Sequence, residues 1–154
     1  VDVETGKLHV RHVHASIYAG KVVRRAAAEL QNEGSIIMGL GTALFENITF
    51  DGGQVTNANL SDYNIPSFHD MPRITHDLVE REGAQVYGLG ETALPPIPAA
   101  IGNALAASGI HMTALPMTAE RVLASIDGGG TVDEARRREM RDIVEAGLHR
   151  SEKS

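Results

Sequence analysis

The sequence predicts an α+β protein in which helices pack on a mostly antiparallel sheet. Short segments of β-forming residues alternate along the chain with segments whose apolar residues recur at helical spacing. Hydrophobic residues make up 42% of the 154 residues and charged residues 22%, as in globular domains. Disordered, collagen-like and coiled-coil classes therefore fit the chain poorly, and its length suits one domain with a core.

The elements of the first two thirds of the chain can be placed in order. Residues 8–18 contain many β-forming residues between two glycines and predict a strand. Residues 25–44 carry apolar residues at helical positions and predict a long helix. A hairpin is predicted around Asp51-Gly52-Gly53. A strand is predicted at residues 74–80, and a short strand at residues 85–87 is a candidate to pair with it.

The last third predicts two more helices and a separate extension. A helix at residues 99–107 follows Pro98, a strand is expected at residues 110–115, and a helix begins near Thr118. The composition of DGGGT at residues 127–131 is typical of a linker. We therefore divide the chain into a main domain, residues 1–126, and a linker with a helical extension, residues 127–154. One hypothesis is that residues 132–148 dock on a partner subunit.

Composition excludes several functions. The chain has three Tyr, three Phe and no Trp, and its net charge is −6, so neither a stacking surface nor a basic face for nucleic acid is expected. It has no cysteine, which excludes disulfides, thiolate metal sites and cysteine-ligated iron–sulfur clusters in this chain. No membrane span and no signal peptide are recognisable, so we expect a cytoplasmic protein. The residues after Val1 are typical of a turn inside a longer polypeptide, although a processed start has the same pattern.

The densest group of candidate functional residues is VYGLGETALPP, residues 86–96, in which Gly88-Leu89-Gly90-Glu91 precedes the prolines. Glycines let a backbone approach a ligand closely, and a carboxylate held between the two glycines and the prolines can point into a cleft. The alternative is that Glu91 is a solvated loop carboxylate, as most are. The spacing alone leaves both interpretations open.

The predicted long helix contains a second group, which is Gln31-Asn32-Glu33-Gly34-Ser35 with Gly39-Leu40-Gly41. Interior glycines destabilise a helix by about 1 kcal/mol each against alanine, so something must approach its backbone closely. Small residues on one face allow a flat cofactor to lie there, and Gln31 can both donate and accept hydrogen bonds. Tight packing within the protein is the alternative, and from the residues alone it ranks first.

Three histidines, His9, His12 and His14, lie in the first predicted strand. His12 and His14 share one face of a strand, whereas His9 points to the other face, so a three-histidine metal site would need a bulge. We therefore predict no metal ligands in this chain and interpret the three as surface or partly buried histidines.

Taken together, these motifs resemble the C-terminal part of the molybdenum-cofactor-binding large subunit of the xanthine dehydrogenase and aldehyde oxidase family. The resemblance covers residues 6–126. It runs through AGKVVRRAAAELQNEGSIIMGLGTALFENITFDGGQV at residues 19–55, Asp62-Tyr63, Met71-Pro72, GLGE at residues 88–91 and LPMTAERVL at residues 115–123. Tyr18, Arg24, Arg25 and Ser35 depart from the family pattern.

The resemblance implies a molybdenum hydroxylase that oxidises a C–H carbon of an aldehyde or N-heterocycle. Glu91 would be its general base, Gln31 would contact the molybdenum–pterin cofactor, and Gly88, Leu89 and Gly90 would lie beside it. The cofactor would be molybdopterin or its cytosine dinucleotide. The family's organisation implies a larger molybdenum-cofactor-binding partner, an iron–sulfur subunit, a possible flavin (FAD) subunit and a small-molecule substrate. The altered residues Arg24, Arg25 and Ser35 motivate an alternative, a non-catalytic assembly or scaffolding subunit of such a complex.

Overall fold

The computed structural model describes residues 1–128, 138 and 141–142. The chain divides into a sheet unit, Val10–Ala100, and a terminal unit formed by Val1–His9 and Ile101–Ser154. In chain order the elements are strand β1 His12–Gly20, helix α1 Arg25–Leu44, strands β2 Phe50–Asp51 and β3 Gln54–Val55, a short 3₁₀ helix Phe68–Asp70, strand β4 Arg73–Glu80, helix α2 Pro96–Ala107 and helix α3 Ala119–Gly128. The predicted α+β class is confirmed.

Strands β1 and β4 form the main sheet of the sheet unit and run parallel, from the pair His12–Arg73 to the pair Gly20–Glu80. Side chains alternate along β1, so that Ile17 and Ala19 are buried while Ser16 and Tyr18 are exposed. On β4 the buried residue is Leu78. The sheet thus has one apolar face and one polar face.

The expected mostly antiparallel arrangement is wrong for this main pairing. Only the small β2–β3 hairpin is antiparallel among the named strands of the described residues. A parallel pair needs a long crossover connection, and residues 21–72, which contain α1, supply one. Strand propensity and alternation predict that a segment is extended, but they do not determine the direction of its partner.

Helix α1 begins and ends at the predicted residues, 25 and 44. Its first turn contains Ala26, Ala27 and Ala28, which favour the helix most. Its buried face is built from Ala28, Ile36, Leu40 and Ala43 together with Asn32, Ser35, Gly39 and Gly41. The helix ends where the backbone N–H groups of Phe45 and Glu46 both donate to the carbonyl of Gly41.

Two predicted strands are absent from the described residues. Residues 85–87 form only an isolated bridge, in which Val86 pairs with Gly20 at the end of β1 rather than with β4. Residues 110–115 are irregular, because no strand of the described part of the chain lies beside them to complete a ladder. Ile110 is nevertheless completely buried, so its apolar character reflects packing in the core and not a strand.

The terminal unit combines most of α2 with α3 and the first residues of the chain. Leu105, Ile110, Val122 and Ile126 form its buried core. Residues 2–7 make a closed turn in which the Asp2 N–H donates to the Lys7 carbonyl at 2.9 Å. The Thr5 hydroxyl donates to the Asp2 carboxylate and lowers the pKa of that carboxyl.

Gly6→Ala is expected to destabilise this unit by about 1–3 kcal/mol. Gly6 has a φ of +72°, and a methyl group there would overlap the Ala119 carbonyl oxygen and lie 2.8 Å from the Leu123 nitrogen. Urea denaturation of the full chain measures the loss. Gly53→Ala is the control, because Gly53 also has a positive φ but faces open space among the described residues. An equal loss in both variants would show that the contact with α3 contributes nothing.

The predicted linker and helical extension, residues 127–154, lie mostly outside the described residues. Asp127 and Gly128 belong to the last turn of α3. Arg138, Arg141 and Asp142 are helical, and the Arg141 guanidinium lies 2.5 Å from the Glu4 carboxylate. None of the helices in the described part of the chain combines the length and the apolarity of a membrane span.

Candidate functional site

The glycine turn, residues 88–91, connects the segment after β4 to the start of α2. The Leu94 N–H donates to the Glu91 carbonyl at 3.1 Å, and the Thr92 hydroxyl donates to the Gly88 carbonyl at 3.3 Å. The Glu91 side chain is exposed, and within the described residues it makes no hydrogen bond or ion pair. No described residue therefore binds its carboxylate.

Gln31 lies in α1 and contacts the glycine turn directly. Its amide Nε2 donates to the Gly90 carbonyl at 2.6 Å, across 59 positions of sequence. The fold thus brings together the two groups of residues that the sequence had separated. The carbonyl oxygen of the Gln31 side chain has no partner in the described part of the chain and can still accept a hydrogen bond.

The glycines of α1 have two different surroundings. A methyl group at Gly39 would lie 2.8 Å from Ile97 Cβ and 2.9 Å from the Leu94 carbonyl oxygen, and one at Gly41 would overlap the Glu46 carboxylate. Packing within the protein therefore explains these two glycines. A methyl group at Gly34 would meet no described atom within 4 Å.

The same open space exists at Gly88 and Gly90, where an added methyl group would also meet no described atom within 4 Å. Leu89 between them is half-buried. A flat ring system needs backbone without side chains on one side and polar groups at its edge, and Gly34, Gln31 and the glycine turn offer both. Gly34, Gln31 and the glycine turn are therefore the described residues that could lie against a planar cofactor.

His12 and His14 share the exposed face of β1, as predicted. His12 Nε2 lies 2.7 Å and His14 Nδ1 lies 3.0 Å from the Thr75 hydroxyl, and His14 Nε2 lies 3.4 Å from the Asp77 carboxylate. His9 belongs to the other unit. In the described residues, no three His, Cys, Asp or Glu side chains are grouped so that they could hold a metal ion.

Arg25, one of the residues that depart from the family pattern, has a structural partner. Its guanidinium lies 2.7 Å from the Glu80 carboxylate at the end of β4, and Glu80 also accepts the Val22 N–H at 3.1 Å. This exposed ion pair connects the start of α1 to the sheet. Exposed ion pairs contribute up to about 1 kcal/mol to the free energy of unfolding. The departure from the family pattern at Arg25 therefore coincides with an ion pair between the start of α1 and the end of β4.

Sequence reasoning missed the aromatic pair beside the turn. Tyr18 on β1 and Tyr87, which immediately precedes Gly88, lie with ring centroids 5.6 Å apart and planes tilted by 44°. Both are part-exposed, so burial patterns did not single them out. The position of Tyr87 next to Gly88 was the available signal.

Comparison with known proteins identifies the class. Residues 1–72 match a family model described as a molybdopterin cofactor-binding domain. The xanthine dehydrogenase molybdenum-binding subunit of Escherichia coli O157:H7 is 36% identical over 129 residues, which are 79% of this chain and 17% of that protein. A nicotinate dehydrogenase subunit from Pseudomonas putida is 34% identical over 136 residues, 88% of this chain and 12% of that protein. The chain thus belongs to a molybdenum-cofactor-binding class.

A solved structure of a relative has a similar fold. The aldehyde oxidoreductase of Desulfovibrio gigas superposes with a TM-score of 0.72 at 28% identity, over 82% of this chain and 14% of that one. The chain belongs to the xanthine dehydrogenase and aldehyde oxidase family of molybdenum-cofactor-binding proteins, which confirms the resemblance and the predicted molybdopterin cofactor. It spans about a sixth of the length of the E. coli relative.

Proposed function

We propose that this chain completes the molybdopterin site of a molybdenum hydroxylase and supplies Glu91 as the general base. The observation that carries the proposal is the 2.6 Å hydrogen bond from Gln31 to the Gly90 carbonyl, because it joins the helix and the turn into one surface. That surface has open backbone at Gly34, Gly88 and Gly90 and an uncommitted carboxylate at Glu91. The reaction would be oxidative hydroxylation of a C–H carbon in an aldehyde or N-heterocycle.

Each residue has a distinct role in this proposal. The bound molybdenum–pterin cofactor supplies the redox chemistry. Gly88, Gly90 and Gly34 would let it approach the backbone, Leu89 would lie beside it, and the Gln31 side chain would offer a carbonyl oxygen that no described residue binds. Glu91 would accept the proton of the hydroxyl group that attacks the substrate carbon. A carboxylate is a useful general base when it is held in a water-excluded pocket, and the walls that exclude water would come from other polypeptide.

The proposed enzyme requires polypeptide beyond this chain. The chain corresponds to 17% of the E. coli xanthine dehydrogenase subunit and 12% of the nicotinate dehydrogenase subunit. We propose that a larger molybdenum-cofactor-binding part, an iron–sulfur subunit and a flavin subunit complete it. Purification of the tagged chain from its native host tests this. Co-purification of larger chains with molybdenum and iron is expected, whereas a metal-free monomer would contradict the proposal.

Gln31→Ala is expected to lower the molybdenum content of the purified enzyme. The change removes the donor to the Gly90 carbonyl together with the side-chain acceptor that no described residue uses. The expected loss is about 1–3 kcal/mol, which corresponds to roughly fivefold to 150-fold weaker cofactor retention. Molybdenum analysis per active-site chain measures it. Gln54→Ala removes an exposed amide from the β3 hairpin and serves as the control. Unchanged cofactor occupancy and kinetics would show that Gln31 is only structural.

A structure of the complete assembly distinguishes the non-catalytic alternative. The proposal expects the cofactor within hydrogen-bond distance of Gln31 and the substrate pocket beside Glu91. A cofactor beyond contact with both side chains would leave this chain as an assembly subunit.

A further inference from the structure

The residues that lead into the glycine turn are held against the end of β1. The Lys21 N–H donates to the Gln85 carbonyl at 3.1 Å, Val86 pairs with Gly20, and the Tyr87 N–H donates to the Ala19 carbonyl at 3.4 Å. These contacts continue along the backbone up to the residue before Gly88. The turn therefore starts from a fixed point on the sheet.

The ring of Tyr87 strengthens this attachment. It lies against Tyr18, with centroids 5.6 Å apart, and over Gly20. Gly20 has a φ of +66°, and a methyl group there would overlap both the Gln85 carbonyl oxygen and the Tyr87 ring. Only glycine combines this backbone conformation with room for the ring. Neither tyrosine hydroxyl has a hydrogen-bond partner in the described residues, so the contact is made by the rings.

We propose that Tyr87 is a positioning residue for Glu91, a proposal that rests on the function proposed above. Gly88 and Gly90 have no side chains to fix the turn, so the location of Glu91 depends on the hydrogen bonds within the turn and on two attachments to the rest of the fold. Gln31 holds the Gly90 carbonyl from α1, and Tyr87 holds the start of the turn from β1. Loss of either attachment lets the carboxylate move, and a displacement of about 1 Å can reduce a rate by about a hundredfold.

The test compares Tyr87→Ala with Tyr87→Phe in the assembled enzyme. Tyr87→Ala is expected to lower kcat about tenfold or more with KM changed less than about twofold, because binding walls outside the turn stay intact. Tyr87→Phe keeps the ring and is expected to have the same kcat as the wild-type enzyme. Hydrogen–deuterium exchange of residues 85–94 provides a readout independent of turnover. It should quicken in the alanine variant and stay slow in the phenylalanine variant.

Two further variants keep the proposal testable if Tyr87→Ala does not assemble. Tyr18→Ala removes the partner ring from an exposed strand face, and Gly20→Ala pushes the Tyr87 ring away. Both are expected to quicken exchange in residues 85–94 and to lower kcat in the same direction. Gly53→Ala is the matched control, because it introduces a similar backbone strain without contacting the segment.

The outcomes separate this proposal from the function on which it rests. Unchanged exchange and kcat in Tyr87→Ala and Tyr18→Ala would overturn the positioning role. A Tyr87→Phe enzyme as slow as the alanine variant would assign the effect to the hydroxyl and also overturn it. Full turnover of a Glu91→Gln enzyme would overturn the proposed function instead, and the exchange data would still report whether Tyr87 fixes the turn.

Discussion

Glu91→Gln is expected to lower turnover of the assembled enzyme by about 10²–10⁴-fold while its molybdenum content stays normal. Glutamine has nearly the same shape as glutamate but cannot accept the proton that a general base removes. The exposed side chain makes no described contact within this chain, so the substitution should not disturb the fold. Steady-state kinetics with metal analysis of the same preparation provide the measurement.

Glu82→Gln is the control for that experiment. Glu82 is another exposed loop carboxylate of the sheet unit, and its neutralisation changes the net charge by the same amount. It should leave turnover unchanged. If Glu91→Gln retained full activity with a normal metal content, Glu91 would not be the base. If both variants lost activity equally, the effect would be one of overall charge.

Gly39→Ala is expected to destabilise the protein, whereas Gly34→Ala in the same helix is not. Alanine favours a helix over glycine by about 1 kcal/mol at either position. At Gly39 the new methyl group meets Ile97 Cβ at 2.8 Å and the Leu94 carbonyl oxygen at 2.9 Å, and such overpacking costs about 1–3 kcal/mol. At Gly34 it meets open space. The two variants should therefore differ by about 1–3 kcal/mol in their free energy of unfolding.

Denaturant titration of both full-length variants measures this difference. A second readout follows from the site: Gly34→Ala should reduce cofactor retention despite its unimpaired stability, because the methyl group would occupy space proposed for the pterin. Equal unfolding free energies would show that α1 yields easily at Gly39. Normal cofactor content in Gly34→Ala would place the cofactor away from this part of the helix.

Local features of the fold were predictable from the sequence. The bounds of α1 follow from a long run of helix-forming residues, and the β2–β3 hairpin follows from Asp51-Gly52-Gly53. The parallel pairing of β1 with β4 was not predictable, because it depends on how the chain crosses over between them. The irregular course of residues 110–115 likewise depends on the absence of a neighbouring strand in the described structure.

The candidate site shows the same division. Gln31 and the glycine turn could be selected from residue types and from the resemblance to a family, and the structure brings them together at 2.6 Å. The sequence could not decide whether Gly39 serves a cofactor or packing, because the answer depends on Leu94 and Ile97, which are distant in sequence. The contact of Tyr87 with Gly20 is also long-range and has no local pattern.

Helix α1 contacts the glycine turn through Gln31. Leu94 and Ile97, which follow the turn, pack against the same helix at Gly39. This arrangement has a practical meaning for building chimeras between relatives. The helix and residues 88–97 form one exchangeable module, although the hairpin and β4 separate them along the chain. A graft that transfers residues 88–97 without α1 would place Glu91 beside a helix whose side chains are shaped for a different loop.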